Sequence, residues 1–200
     1  MVEYKLTLIT NYSCMKNALL LSLFMSISLS INADFLKMSN DAEILNMESS
    51  EWSCVIDNKN SLVWEVKSES EGIQYALNTY TWFDGVSGRN NGIFSKNCYW
   101  GKDCNTQSYI EDINKAELCT YSDWRLPTRD ELKSIVDYYG DSDILIDSLL
   151  FPNTQMDTYW TSMSAKDNPS LAYEIPFFFG GSVVRDKTMA TFVRLVRSAD

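Results

Sequence analysis

The chain has 200 residues, with 17 Lys and Arg against 27 Asp and Glu, a net charge of −10, and no histidine. That length suits one domain or two small ones, and the acidic balance argues against nucleic acid, whose phosphates need a surplus of Lys and Arg. The absence of histidine excludes a Ser-His-Asp triad, a Cys-His pair, imidazole metal ligands and a histidine pH switch.

Met15-Lys16-Asn17, an apolar run from Ala18 to Ile31 and Asn32-Ala33 before Asp34 follow the order of a basic n-region, an h-region and a small-residue cleavage site. Residues 1–33 are therefore expected to be a signal peptide, with the start at Met15 and cleavage after Ala33. At about 14 residues, several of them serine, the apolar run falls short of the roughly 20 that a transmembrane helix needs, so the mature chain is expected to lack a membrane span. No cysteine stands at the cleavage site to imply a lipid anchor. Losing Lys5, Lys16 and Glu3 leaves 15 basic and 26 acidic residues, a net charge of −11.

Export also turns an odd set of thiols into an even one. Removing Cys14 leaves Cys54, Cys98, Cys104 and Cys119, which an oxidising compartment would join as two disulfides. Three connectivities are open. The favoured one pairs Cys98 with Cys104 across a short clip, and Cys54 with Cys119. Zinc is the rival use of four thiols, but no C-x-x-C pair is present, and such pairs are the usual zinc spacing. No metal or cofactor is expected.

Residues 34–50 are polar with scattered Leu and Met, and read as a lead-in that is loose or lies on the surface; the domain is placed at 51–198. Trp52 to Ile56, a turn at Asp57-Asn58-Lys59-Asn60 and Leu62 to Val66 read as a β-hairpin with Leu62, Trp64 and Val66 on one face. Thr79 to Cys104 intersperses aromatics among glycines and asparagines, a long structured loop of the kind that is usually functional. Ser108-x-x-Glu111 and Thr128-x-x-Glu131 are both capping-box patterns. The first predicts a helix to about Leu118, burying Tyr109, Ile113 and Ala116; the second predicts Arg129 to about Tyr139, burying Leu132, Ile135, Val136 and Tyr139. Strand-like runs follow at Thr158 to Met163, Leu171 to Phe179 and Ala190 to Arg197, with turns at Gly180-Gly181 and near Asp186-Lys187. A hairpin, two helices and then an antiparallel sheet is an α+β order. No G-x-G-x-x-G or P-loop is present to cradle a phosphate.

The run Asp123-Trp124-Arg125-Leu126-Pro127-Thr128-Arg129-Asp130-Glu131-Leu132 resembles the Lcl C-terminal domain family, named after bacterial collagen-like adhesins. Matching pieces stand in order around it: Cys54-Val55-Ile56-Asp57-Asn58, Leu62-Val63-Trp64-Glu65-Val66, Asn78-Thr79-Tyr80-Thr81-Trp82, Cys119, Tyr159-Trp160-Thr161-Ser162 and Val193-Arg194-Leu195-Val196-Arg197. The similarity spans roughly Glu51 to Arg197. It implies a C-type-lectin-like architecture and a domain of exported or surface proteins, some of which attach to sulfated polysaccharides. Two departures matter: no Gly-X-Y tract precedes the domain, and a charge of −11 repels a sulfated polymer unless basic residues cluster.

The Arg-Leu-Pro-Thr motif is also similar to one in formylglycine-generating enzymes, whose active site depends on a late cysteine pair; nothing after Cys119 is a cysteine. Trp124, Arg125, Leu126, Pro127, Thr128 and Glu131 are accordingly read as structural, the tryptophan and leucine in the core, Pro127 and Thr128 setting a helix start, and Arg125 holding a carboxylate or carbonyls. Trp64 and Trp160 are expected in the core. Asp141, Asp143 and Asp147 are the least poor calcium ligands, against a solvated acidic loop. Trp82, Asp84, Asn90, Asn91 and Trp100 are the expected ligand-binding set, pairing flat rings with amide and carboxylate groups as sugar recognition does; the rival reading is that the rings pin the loop to the core. The expectation is a non-enzymatic recognition domain, secreted, periplasmic or on the cell surface, binding carbohydrate or a surface protein. The alternative is a structural interaction module of the envelope with no small ligand.

Overall fold

The computed structural model describes residues 33–92, 95, 98 and 103–199; the expected signal peptide, apart from Ala33, lies outside them. In chain order the elements are β1 (Phe35–Met38), β2 (Cys54–Asp57), β3 (Leu62–Glu65), β4 (Tyr80–Thr81), α1 (Thr106–Lys115), α2 (Arg129–Ser134), β5 (Thr158–Ser164), β6 (Leu171–Pro176), β7 (Val183–Asp186), β8 (Ala190–Thr191) and β9 (Val196–Ser198). The architecture is mixed, with two α-helices among the described residues and antiparallel sheets in the orders β1-β2-β3-β9, β4-β8 and β5-β6-β7.

The β2–β3 hairpin forms because Asp57 closes its turn: its carboxylate accepts from the Asn60 backbone at 3.0 Å and the Asn60 side chain at 2.8 Å. Strand β3 then runs up the middle of the first sheet, between β2 and β9. The expected face of Leu62, Trp64 and Val66 packs into one core with Val55, Leu132, Phe151 and Ile175. The opposite face is buried too. Val63 joins Met38, Cys54, Tyr109, Trp160 and Leu195 in a second core, so the sheet is a partition between two apolar layers, as parallel sheets more often are.

Residues 34–50 are not a loose lead-in. Phe35–Met38 adds β1 to the edge of the sheet through Leu36↔Ile56 and Met38↔Cys54, with Lys37 and Met38 buried. Lysine at a strand position hid this from the hydrophobic pattern. Its ammonium is compensated by donating to the Ser49 carbonyl at 2.9 Å while lying over the Trp52 ring.

Helix α1 starts earlier than its capping-box pattern suggested. Asn105 is the cap, its side-chain oxygen accepting from the Ser108 amide at 2.9 Å, and its own amide is anchored on the Asn90 carbonyl. Tyr109 and Ile113 face the core as expected, but the helix ends at Lys115 and Ala116 is exposed. Left-handed backbone at Glu117, Cys119 and Thr120 then turns the chain. Helix α2 has the expected box, Thr128 and Glu131 bonding each other's backbone amides. It is only six residues long, because Asp137 offers its carboxylate to the amides of Tyr139 and Gly140, a local turn that competes with helix. Tyr139, expected in the core, is 97% exposed.

In the C-terminal half, the run expected over Leu171 to Phe179 stops at Pro176, and Val183–Asp186 adds β7, which the turn signals on either side had obscured. The last run splits into β8 and β9 because the two ends pair with different sheets. Arg125 exchanges both backbone hydrogen bonds with Val196, and its guanidinium grips Glu131 in two bonds of 2.7 and 2.8 Å. Trp124 and Leu126 are buried. The motif therefore fastens α2 to the last strand.

Two disulfides close the chain, Cys54–Cys119 and Cys98–Cys104. The first spans 65 residues and ties β2 to the turn after α1; on the chain-entropy model it contributes about 4 kcal/mol. Cys54→Ser/Cys119→Ser is predicted to lower unfolding free energy by roughly that amount in urea titrations, and an unchanged midpoint would contradict it. The Arg125 hydrogen bonds, ahead of the Thr128 backbone contact, hold the Glu131 carboxyl below the ordinary glutamate range. Its stabilisation is thus present above the unfolded-state value and lost as pH falls through the folded one. Acid unfolding of Glu131→Gln should show a shallower pH dependence in that window than the parent.

Candidate functional site

The alternation of β3 continues past its end, so Glu65 and Lys67 leave the backbone on the same side. Glu65 is fully buried. One carboxylate oxygen accepts from Lys67 Nζ at 2.8 Å and from the Tyr109 hydroxyl of α1; the other accepts from the Leu195 amide at 2.9 Å. Lys67 also donates to the Tyr109 oxygen at 2.7 Å. Arg194, likewise buried, donates to the Glu65 carbonyl at 2.6 Å and to Thr154 Oγ1 at 2.8 Å. Tyr80 stacks on Tyr109 with ring centres 4.6 Å apart.

Electrostatics follow from that burial. Desolvation, with the Glu65 charge second, pushes the Tyr109 hydroxyl well above its usual range. Desolvation lowers Lys67 against the opposing pull of Glu65, and lowers Arg194. Tyr159 is pushed up to about 12, chiefly by burial. The cluster is a dry ionic knot whose members serve one another.

Outside the knot lies a groove of about 710 Å³, bordered by residues of 39–53, 66–74 and 152–153, within the size range of small-molecule sites. Its wall combines hydroxyl and amide groups, among them Ser68, Gln74 and Asn153, with the Glu51 and Glu69 carboxylates and an apolar part that includes the Trp52 indole. Each fixed point has a cause. Trp52 Nε1 donates to the Leu150 carbonyl at 2.9 Å, Gln74 to the Val66 carbonyl at 3.0 Å, and Asn153, in left-handed backbone, to the Lys67 carbonyl at 3.2 Å. Lys67 borders both groove and knot. Sequence reading missed this wall because it comes from the lead-in, the segment after β3 and a turn nearly 90 residues on, none of which carries a local motif.

The expected ligand set divides. Trp82 is 1% exposed; its Nε1 donates to the Thr161 carbonyl at 2.8 Å and the Lys187 ammonium stands 3.9 Å over its ring. It pins the loop to the core and cannot stack on a ligand in this arrangement. Gly88, at φ 105°, lies so close that a Cβ there would meet the Trp82 carbonyl at 2.2 Å. Asp84, Asn90 and Asn91 are exposed, Asp84 capping the Val86 and Ser87 amides and Asn91 accepting from Arg89. Trp100 lies outside the described residues. Trp64 and Trp160 are core residues. Among the described residues no three Cys, Asp or Glu side chains gather as metal ligands; Asp147 caps the Leu149 amide, and Asp141 and Asp143 point from an exposed turn.

Removing one member of a buried ion pair strands the other, at a cost of about 3–5 kcal/mol. Glu65→Gln is predicted to lose stability of that order, and Glu65→Gln/Lys67→Met to regain part of it, in equilibrium denaturation. Equal losses in both variants would mean that the charge pairing is not what holds the knot.

Among the described residues no helix is long and apolar enough to cross a membrane. No curated protein matches the chain. The family model described as the Lcl C-terminal domain matches residues 53–197, from the residue before β2 into β9, taking in the Glu65 knot, both disulfides and the Arg125–Glu131 clasp. The match covers well over half of the chain, which therefore belongs to the Lcl C-terminal domain family.

Proposed function

We propose that this chain is an exported, non-enzymatic recognition domain of C-type-lectin-like architecture that binds a carbohydrate or another surface ligand in the Trp52 groove. The groove carries the reading: hydroxyl and amide side chains stand around one half-buried indole, with Lys37 over one ring face, and together they offer hydrogen bonds and an apolar ring surface, which is what a sugar ring requires. Family membership favours a surface or secreted setting. The leader-like start and the pairing of Cys54, Cys98, Cys104 and Cys119 in disulfides support export. Sharing of one sheet by the first and last strands, with helices and long loops between them, supports the lectin-like architecture.

The reactive-looking groups of the knot, of which Lys67 alone lines the groove, support binding over catalysis. Glu65, Lys67 and Tyr109 satisfy one another, so a substrate would have to break the knot to engage them. The expected loop of Asp84, Asn90 and Asn91 is a second surface for the same task, without Trp82.

A glycan array on the purified, oxidised protein tests the reading. Trp52→Ala is predicted to weaken any hit about tenfold, the size of a 1.4 kcal/mol contact; because it also removes the Leu150 hydrogen bond and the Lys37 contact, its thermal midpoint should fall, and binding is read well below that midpoint. A blank array would remove carbohydrate from the proposal. A hit lost in Asp84→Ala/Asn91→Ala but kept in Trp52→Ala would move the site to the 79–104 loop.

A further inference from the structure

Four aromatic rings stand in solvent where α2 gives way to its following turn and where β6 turns into β7. Tyr139 is 97% exposed, Phe179 62%, Phe178 51% and Tyr138 50%. They belong to one surface. The 138–144 turn is closed by the Asp137 amide on the Leu145 carbonyl, and Leu145 donates in turn to Phe177; the Tyr138 hydroxyl donates to the Gly180 carbonyl at 2.6 Å.

The rings are held there by the backbone. A Cβ on Gly180 would come within 2.5 Å of the Tyr138 ring, and one on Gly181 within 2.1 Å of the Phe179 ring. Gly180 also has φ 72°, a region L side chains rarely adopt. Both glycines therefore permit rings to lie flat against a turn and still face water, which core packing does not ask for. Exposed apolar patches of this sort mark interaction surfaces.

Charge selects the partner. Asp141 and Asp143 stand exposed on the same turn as Tyr139, and no Lys or Arg occurs from residue 134 to 165 or from 174 to 184. The flanking basic residues are Lys133, Lys166 and Arg185, and Arg185 is engaged with Glu174 at 2.8 Å. Aromatic faces beside uncompensated carboxylates attract cations twice over, through the ring quadrupole and through Coulomb attraction. A second copy of this acidic chain would bring like charges together. We propose that the Tyr138–Tyr139 and Phe178–Phe179 surface docks a lysine- or arginine-bearing segment of a partner protein, independently of any ligand in the Trp52 groove.

The test is titration of the purified, oxidised protein with a short Lys- and Arg-rich peptide, read by calorimetry, against a glutamate-rich peptide and a neutral apolar one of equal length. The basic peptide should bind, and more weakly as salt shortens the screening length from about 10 Å at 0.1 M to about 3 Å at 1 M. Tyr139→Ser/Phe179→Ser should weaken it about tenfold; Asp141→Asn/Asp143→Asn should reduce both affinity and salt dependence, while Trp52→Ala leaves it unchanged. Tyr139, Phe179, Asp141 and Asp143 are exposed, so the thermal midpoints of the two double variants should stay near the parent value. No binding of the basic peptide, equal binding of the neutral one, or indifference to both double variants would overturn the proposal. So would displacement of the peptide by a neutral oligosaccharide, which would make the rings a sugar platform instead.

Discussion

A carboxylate sealed away from water has to be answered by donors on every side, and the rest of this domain is arranged around answering Glu65. Its donors come from three parts of the chain: Lys67 just beyond β3, Tyr109 on α1 and the backbone at Leu195 leading into β9. Arg194 fastens the carbonyl of the same residue to the Thr154 turn. An ionic cluster of this kind adds little net stability compared with apolar packing, but it penalises every arrangement in which one partner is missing. Helix, central strand and C-terminal strand are thereby held in a single register.

The sheet that carries Glu65 is buried on both faces, and this explains features that would otherwise look costly. A strand between two cores needs both its edges paired: β2 covers one side of β3 and β9 the other. Left-handed backbone at Glu117, Cys119 and Thr120 is strained for side chains other than glycine. It brings Cys119 to Cys54 under the sheet, so a covalent bond and local strain stand at the same point. The same logic applies to Trp82, whose ring seals the junction between the long loop and β5, with Lys187 as its lid.

With the Glu65 carboxylate engaged by Lys67, Tyr109 and the Leu195 amide, recognition is left to the periphery. The Trp52 groove is assembled from turns that lean on the knot through the Lys67 and Val66 carbonyls, which gives flexible segments fixed positions. The aromatic turn beyond α2 has the opposite character, apolar rings in open water on a glycine pair. One surface is concave and polar, the other convex and apolar with a negative rim, and they suit different chemistries.

Local patterns in the sequence were enough to determine the α+β order, the first hairpin, the Thr128–Glu131 cap and the core places of Trp64, Trp124 and Trp160, because each depends on residues close in the chain or on side chains with one comfortable environment; they favoured Cys54–Cys119 and Cys98–Cys104 among three disulfide connectivities, and the fold decided it. Strand β1 was hidden by Lys37, the start of α1 by an asparagine that outcompetes Ser108, and the end of α2 by the Asp137 turn. Trp82 illustrates the limit most directly: an aromatic among glycines and asparagines reads the same whether it faces a ligand or the core. Only the partners at Thr161 and Lys187, about 80 and 105 residues on, decide between them. The groove likewise exists only once three separated segments meet, since concavity is a property of packed surfaces and leaves no mark on any one stretch of chain.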